Sequence, residues 1–167
     1  TISTISTNST NSTNSTNATV YTDLDGVWNR RGGDIDGEAQ YDQSGRGLAM
    51  SNDGMIVAVG AYGNDGDNAL SFSGHVRVYK WTNGAWVQRG EDIDGQAEHD
   101  RFGFSVALSA DGTIMASGSY KDDTAAGADS GSVRVFIWDA ASGNGGAWVQ
   151  RGATLSGEAG GDYFGWE

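Results

Sequence analysis

The chain has 167 residues, including 27 Gly, no Pro, no Cys and 10% aromatic residues. Ten Lys and Arg face 22 Asp and Glu, for a formal net charge of −12. This balance argues against nucleic acid and against an anionic membrane surface, because phosphate binding rests on clustered cations. Without Cys there are no disulfides, no thiol catalysis and no thiolate zinc sites, and no stretch approaches the roughly 20 apolar residues of a membrane span.

Residues 1–17, TISTISTNSTNSTNSTN, contain only Thr, Ser, Asn and Ile. They offer too little apolar surface to offset the entropy of ordering, which predicts a low-complexity tail that does not fold alone. Asn8, Asn11, Asn14 and Asn17 each open an Asn-x-Thr triplet, and no other Asn does. Such triplets accept N-linked glycans in secreted eukaryotic proteins. In a polyproline-II conformation all four would line one face, roughly 9 Å apart, and the intervening Ser and Thr suit O-linked sugars. An unmodified linker is the alternative. The start at Thr1 fits a processed N-terminus or a truncation equally.

Residues 18–27 form a linking segment. Within it Ala18, Thr19, Val20, Tyr21 and Thr22 are β-prone and read as a strand added to a sheet edge, in this molecule or in another.

From Trp28 onward one pattern is stated twice and begun again: repeat 1 over 28–85, repeat 2 over 86–147 and a partial repeat 3 over 148–167. Trp28, Trp86 and Trp148 open the copies, 58 and 62 residues apart. Gly37, Gly95 and Gly157 coincide in register, as do Asp42, Asp100 and Asp162, and Gly45, Gly103 and Gly165. Each full copy predicts four strands. In repeat 1 they are Gly47 to Ser51, Met55 to Ala61, His75 to Trp81 and Ala85 to Arg89. In repeat 2 they are Phe104 to Ser109, Thr113 to Ser119, Ser132 to Trp138 and Ala147 to Arg151. The Asp-Gly between the first two apolar runs is a hairpin signal. Four antiparallel strands per unit, with small residues Ala58, Gly60, Ala116 and Gly118 in the second, describe propeller blades. The expected fold is all-β: propeller-type blades of four antiparallel strands, two complete repeats and a partial blade at each end.

Gly157-Glu158-Ala159 followed by Asp162 and Phe164-Gly165, the run Asp100-Arg101-Phe102-Gly103-Phe104-Ser105-Val106-Ala107, the Asp111-Gly112 turn and the strand Gly131-Ser132-Val133-Arg134-Val135-Phe136 resemble FG-GAP repeats, the blades of integrin-α-like β-propellers. The resemblance covers about Trp28 to Glu167. Repeat 1 departs from it, with Ser44-Gly45 where Phe-Gly is expected. The resemblance implies an extracellular recognition, adhesion or surface-structural role; it does not imply catalysis. Blades of this family often carry a calcium loop between their first two strands; here a plain Ser-Asn-Asp-Gly or Ser-Ala-Asp-Gly turn stands there.

Acids elsewhere are weak calcium candidates: Asp65 and Asp67 in one loop, and Asp122, Asp123 and Asp129 in its counterpart. Neither loop has the spacing of an EF-hand with its terminal Glu, so solvated loop acids are expected, with no metal favoured and no cofactor required. Asp34, Asp36, Asp92 and Asp94 are expected to shape turns, since repeat 3 places Thr154 and Ser156 at these positions; Ile35, Ile93 and Leu155 serve as anchors. His75 and His99 occupy non-equivalent positions and are expected at the surface. No nucleophile elbow or acid pair stands outside the repeat, so no enzyme is expected. The three tryptophans are expected to pack between blades rather than stack on sugars.

Two blades with part-blades at both ends leave sheet edges open. The expected function is a secreted, glycan-decorated structural protein that assembles with copies of itself, head to tail, into a filament. Its expected assembly edges are Ala18 to Thr22 at one end and Tyr163, Phe164, Gly165 and Trp166 at the other. The alternative is a section of a larger cell-surface adhesion propeller, truncated in mid-motif, whose loops bind a protein or polysaccharide.

Overall fold

The computed structural model describes residues 3–9, 16–66, 70–143 and 145–167. Among these residues there is no helix, and the strands form three antiparallel sheets. The first sheet has the order β1 (Ser3–Ser9), β2 (Thr16–Leu24), β3 (Val27–Arg30). The second runs β4 (Ser44–Met50), β5 (Ile56–Ala61), β6 (His75–Thr82), β7 (Ala85–Gln88), with the short β8 (Ile93–Asp94) paired to β6. The third repeats this order as β9 (Ser105–Leu108), β10 (Ile114–Ser119), β11 (Ser132–Asp139), β12 (Ala147–Gln150), with β13 (Leu155–Ser156) on β11. These are blade-like sheets that do not close into a ring.

The Asp-Gly hairpins form as the sequence predicts. Asp111 Oδ1 accepts the Thr113 N–H at 3.0 Å and the Ser109 hydroxyl at 2.7 Å, while Ser109 Oγ accepts the Ile114 N–H at 2.9 Å. Gly112 takes φ 65°, a left-handed conformation that glycine adopts without penalty. These bonds hold the Asp111 carboxyl down at about 2.

Strand pairing corrects the reading of the N-terminal segment. Residues 3–9 are a strand, not a tail, and pair with β2 in the register Ile5↔Val20, Thr7↔Ala18 and Asn8↔Asn17. Ala18 to Thr22 pair with β1 on one side, and Tyr21 and Thr22 also pair with Arg30 and Asn29 of β3 on the other. They therefore occupy the middle strand rather than an edge, and all but Tyr21 are buried. The entropy of ordering is offset because the segment does not stand alone. Once β2 supplies hydrogen-bond partners, β-branched Thr and Ile are good strand residues, and Ile5 packs on Ala18, Val20, Ile35, Val57 and Val59. Asn8 and Asn17 thus lie in extended, paired strands instead of a polyproline-II helix; Asn11 and Asn14 fall outside the described residues.

The middle sheet explains why the repeat needs neighbours. Alternate residues of a strand face opposite ways, so β5 sends Val57 and Val59 toward the first sheet and Ile56 and Ala58 toward the third. Its residues Ile56 to Ala61 are all buried, as expected of a strand covered on both faces. The cluster between the second and third sheets is the larger in side-chain volume, with Val76, Val78, Ile93, Phe102, Met115 and Phe136 joining Ile56 and Ala58.

Candidate functional site

Sheet is joined to sheet by one motif used twice. After β3, Arg31 reaches across to the next sheet and donates from Nη1 to the Gly54 carbonyl at 2.9 Å, with its guanidinium 5.8 Å from the Trp81 ring centre. Trp81 and Trp86 pair edge to face at 5.2 Å, and Trp86 Nε1 donates back to the Arg31 carbonyl at 2.9 Å. In the next joint Arg89 donates to the Gly112 carbonyl at 2.8 Å and lies 4.4 Å from the Trp138 ring centre, Trp138 and Trp148 pair at 5.5 Å, and Trp148 Nε1 donates to the Arg89 carbonyl at 2.9 Å. Burial in this joint lowers the Arg89 pKa, an effect that Asp111 partly opposes. Trp86 and Trp148 are packing residues, as expected.

A second contact accounts for the Phe-Gly pair. A Cβ added at Gly60 or Gly74 would fall on the Gly103 or Phe102 carbonyl, and one added at Gly118 or Gly131 on the Gly165 or Phe164 carbonyl. Each Phe-Gly segment therefore lies backbone to backbone across two glycines of the preceding sheet. Phe102 is fully buried there, edge to face with Phe136 at 6.2 Å and 4.0 Å from the Arg134 guanidinium. Gly103 itself has φ 86°.

At the two ends the same parts lie exposed. Arg151 is exposed, and nothing comes within 4 Å of a Cβ placed on Gly152, whereas the matching Gly32 and Gly90 lie against Trp81 and Trp138. Tyr163, Phe164 and Trp166 are exposed on the third sheet, while Gly165 is packed beneath them. On the first sheet Leu24, Val27 and Trp28 are exposed, and Asp23 pairs with Trp28 where the other sheets pair two tryptophans. Trp28 thus departs from the packing role expected of it, because among the described residues no sheet lies on its far side.

The loop acids fasten their own loops. Asp65 Oδ1 accepts the Phe72 N–H at 3.0 Å, Asp123 Oδ1 the Asp129 N–H at 2.8 Å, and Asp129 pairs with Lys121 at 2.9 Å. The Asp122 carbonyl accepts the Gly131 N–H at 3.0 Å; Asp67 lies outside the described residues. The recurrent Asp42, Asp100 and Asp162 each accept the N–H three residues back, at 3.0, 2.9 and 2.8 Å. Burial, with Asp122 nearby, raises the Asp100 carboxyl to about 6 against the pull of the Ala97 N–H and Arg134.

His75 overturns the expectation of a surface group. It opens β6 beneath β8, pairs in register with Asp94 and is only 2% exposed. Its Nδ1 stands 3.6 Å from Asp92 Oδ2 and 3.9 Å from Glu38 Oε2. The other oxygen of each carboxylate is held: Gln88 Nε2 donates to Asp92 Oδ1 at 2.6 Å and Arg77 Nη1 to Glu38 Oε1 at 3.1 Å. Burial and then Arg77 lower the His75 pKa, opposed by Asp92, Glu38 and Asp94. Among the described residues this is the group of acids and histidines whose ligand atoms all lie within 4.8 Å of one another. The equivalent positions in the next repeat are Gln96, Ser132 and Thr154. That contrast between copies was the sequence signal for the cluster. His99 is exposed and stacks on Phe72 at 5.8 Å.

Residues 93–136 match the family model described as FG-GAP repeat. The match runs from β8 into β11 and so contains the Phe102-Gly103 segment, the Asp111-Gly112 hairpin and the Gly118 and Gly131 positions. No curated protein matches the chain.

Proposed function

We propose, on the premise that residues 93–136 are an FG-GAP repeat, that the chain is an extracellular structural protein whose blades continue from copy to copy, head to tail. Repeats of this family are typical of extracellular or cell-surface proteins. One observation carries the reading: the two halves of the Arg–Trp joint are exposed at opposite ends, Arg151-Gly152 after the third sheet's last long strand and Trp28 on the first sheet, where half-buried Asp23 pairs with it. Docked as Arg89 docks on Trp138, the Arg151 guanidinium of one copy would meet the Trp28 ring and the Asp23 carboxylate of the next. The charges are complementary, and a heterologous contact that does not close on itself propagates as a filament. The first sheet also lacks, among the described residues, the inner strand that β4 and β9 supply to the others, so its β1 edge is available for strand addition. Glycans at Asn8, Asn11, Asn14 and Asn17 would decorate the N-terminal segment, and the role needs no catalysis.

Electron microscopy over a concentration series tests the assembly. Fibres are expected for the native chain, discrete particles for Arg151→Glu, and fibres again for the charge swap Arg151→Glu with Asp23→Arg; monomers of the native chain at every concentration would refute the reading. Intact mass before and after deglycosylation tests the sequons. A second reading, recognition of a polysaccharide by a section of a larger propeller, is favoured by an open cavity of about 620 Å³ lined by Tyr120, Lys121, Asp162, Tyr163 and Trp166. Quenching of Trp fluorescence by a soluble polysaccharide, absent in Trp166→Ala, would support it.

A further inference from the structure

We infer that Glu38, His75 and Asp92 form a binding site for one divalent transition-metal ion of the zinc class, placed where the strip leaving the first sheet crosses the second. The distances carry the argument. At 3.6 and 3.9 Å, the contacts from His75 Nδ1 to the two carboxylate oxygens exceed the roughly 2.7–3.2 Å of an N–H···O hydrogen bond. Two donors on a tetrahedral zinc, each about 2.0–2.2 Å from the metal, stand about 3.3–3.6 Å apart. The two carboxylates are thus spaced from the imidazole as ligands that share an ion, within a few tenths of an ångström, and not as hydrogen-bond partners, and all three ligand atoms lie within 4.8 Å of one another.

The outer contacts point the same way. Gln88 holds one oxygen of Asp92 and Arg77 one oxygen of Glu38, which leaves the second oxygen of each turned toward the imidazole. Ligating carboxylates are oriented by such outer-shell donors. The repeat supplies a third, independent line: where the third sheet builds the same strands it uses Gln96, Ser132 and Thr154, so the blade folds without an acid or a histidine at these points. A buried imidazole between two carboxylates is an addition to the blade, not a requirement of it. One nitrogen among three ligands favours zinc, nickel or copper over calcium or magnesium, which prefer oxygen. Three protein ligands leave a fourth position for water. Because Glu38 follows Ile35, which pairs with β2, while His75 opens β6 and Asp92 immediately precedes β8 of the second sheet, the ion would tie two blades together.

Zinc chloride titrated into the full chain in competition with a chelating dye tests the site, with calcium and magnesium chloride as parallel arms. The expected result is one zinc per chain and a Tm rise of roughly 5–10 °C at a hundredfold excess over Kd, with no comparable response to calcium or magnesium. In the native chain the His75 ring resonances should shift on zinc addition while those of His99 stay. His75→Ser, Asp92→Thr and Glu38→Gln, which borrow the residues of the third sheet, should each weaken binding at least tenfold, and Asp129→Asn should leave it unchanged. No stoichiometric zinc binding, unmoved His75 resonances, or binding retained in His75→Ser would each overturn the inference; calcium binding that survives His75→Ser would assign the ion to the loop acids instead.

Discussion

The joint between the second and third sheets and the joint between the first and second share the Arg–Trp motif but differ in the Phe-Gly segment. In the former, Phe102-Gly103 rests on Gly60 and Gly74, and Phe102 is wholly buried. In the latter, Ser44-Gly45 takes the place of Phe-Gly, and by strand register Thr7 takes the place of Gly60. The aromatic residue and the glycine that receives its backbone are thus absent together. A close backbone crossing needs both halves, and a joint without it relies on smaller aliphatic packing, here Ala18, Val20, Ile35, Val57 and Val59.

The largest expected effect breaks the complete joint. Phe102→Ala should cost roughly 3–5 kcal/mol by removing a buried aromatic residue, whereas Ser44→Ala at the equivalent position removes only a buried hydroxyl and should cost about 1.5 kcal/mol or less; urea unfolding of both variants measures the contrast. Next, Gly60→Val should destabilise by about 2–3 kcal/mol, because its Cβ falls on backbone that cannot retreat, while Gly33→Ala, with nothing within 4 Å of the new carbon, should stay within about 0.5 kcal/mol of the native chain. Thermal melts distinguish the two. Arg89→Ala should cost about 1–2 kcal/mol and Arg31→Ala less, since Arg89 sits 4.4 Å from its nearer tryptophan and Arg31 5.8 Å from Trp81. Equality of the two would remove the rings from the account.

The smallest effect is in pH dependence. Asp100 has its folded pKa raised to about 6, chiefly by burial, above the ordinary 3.8 of an aspartate. Between these values the folded state binds more protons than the unfolded state, so this group's contribution is complete below about 4 and is lost as pH rises through 6. Asp100→Asn keeps an acceptor for the Ala97 N–H and should flatten that part of the Tm profile between pH 4 and 7; an unchanged profile would place the dependence elsewhere.

Much of the fold was legible because its signals are local. The Asp53-Gly54 and Asp111-Gly112 turns, the alternation of His75 to Trp81 and Ser132 to Trp138, and the shared register of Gly37, Gly95 and Gly157 can each be read within a few residues or by comparing copies. The candidate site was not legible in this way. His75 alternates like an ordinary strand residue, and only the arrival of Glu38 and Asp92, 37 positions before it and 17 after it, makes it a cluster.

By itself the sequence determined the repeat, the strand order within a blade, the hairpin turns and the Phe-Gly segment that the family model matches, all of which depend on neighbours along the chain. The tertiary structure alone decided that residues 3–9 form a strand, that Ala18 to Thr22 lie inside a sheet, that Trp28 is exposed while Trp86 and Trp148 are packed, and that His75 is buried between two carboxylates. The physical reason is common to these four. Whether a strand residue is covered depends on what lies across the sheet, and in stacked blades the covering group comes from a different sheet: Ile5 packs against a cluster to which the second sheet contributes Val57 and Val59, and Trp86 bonds to Arg31.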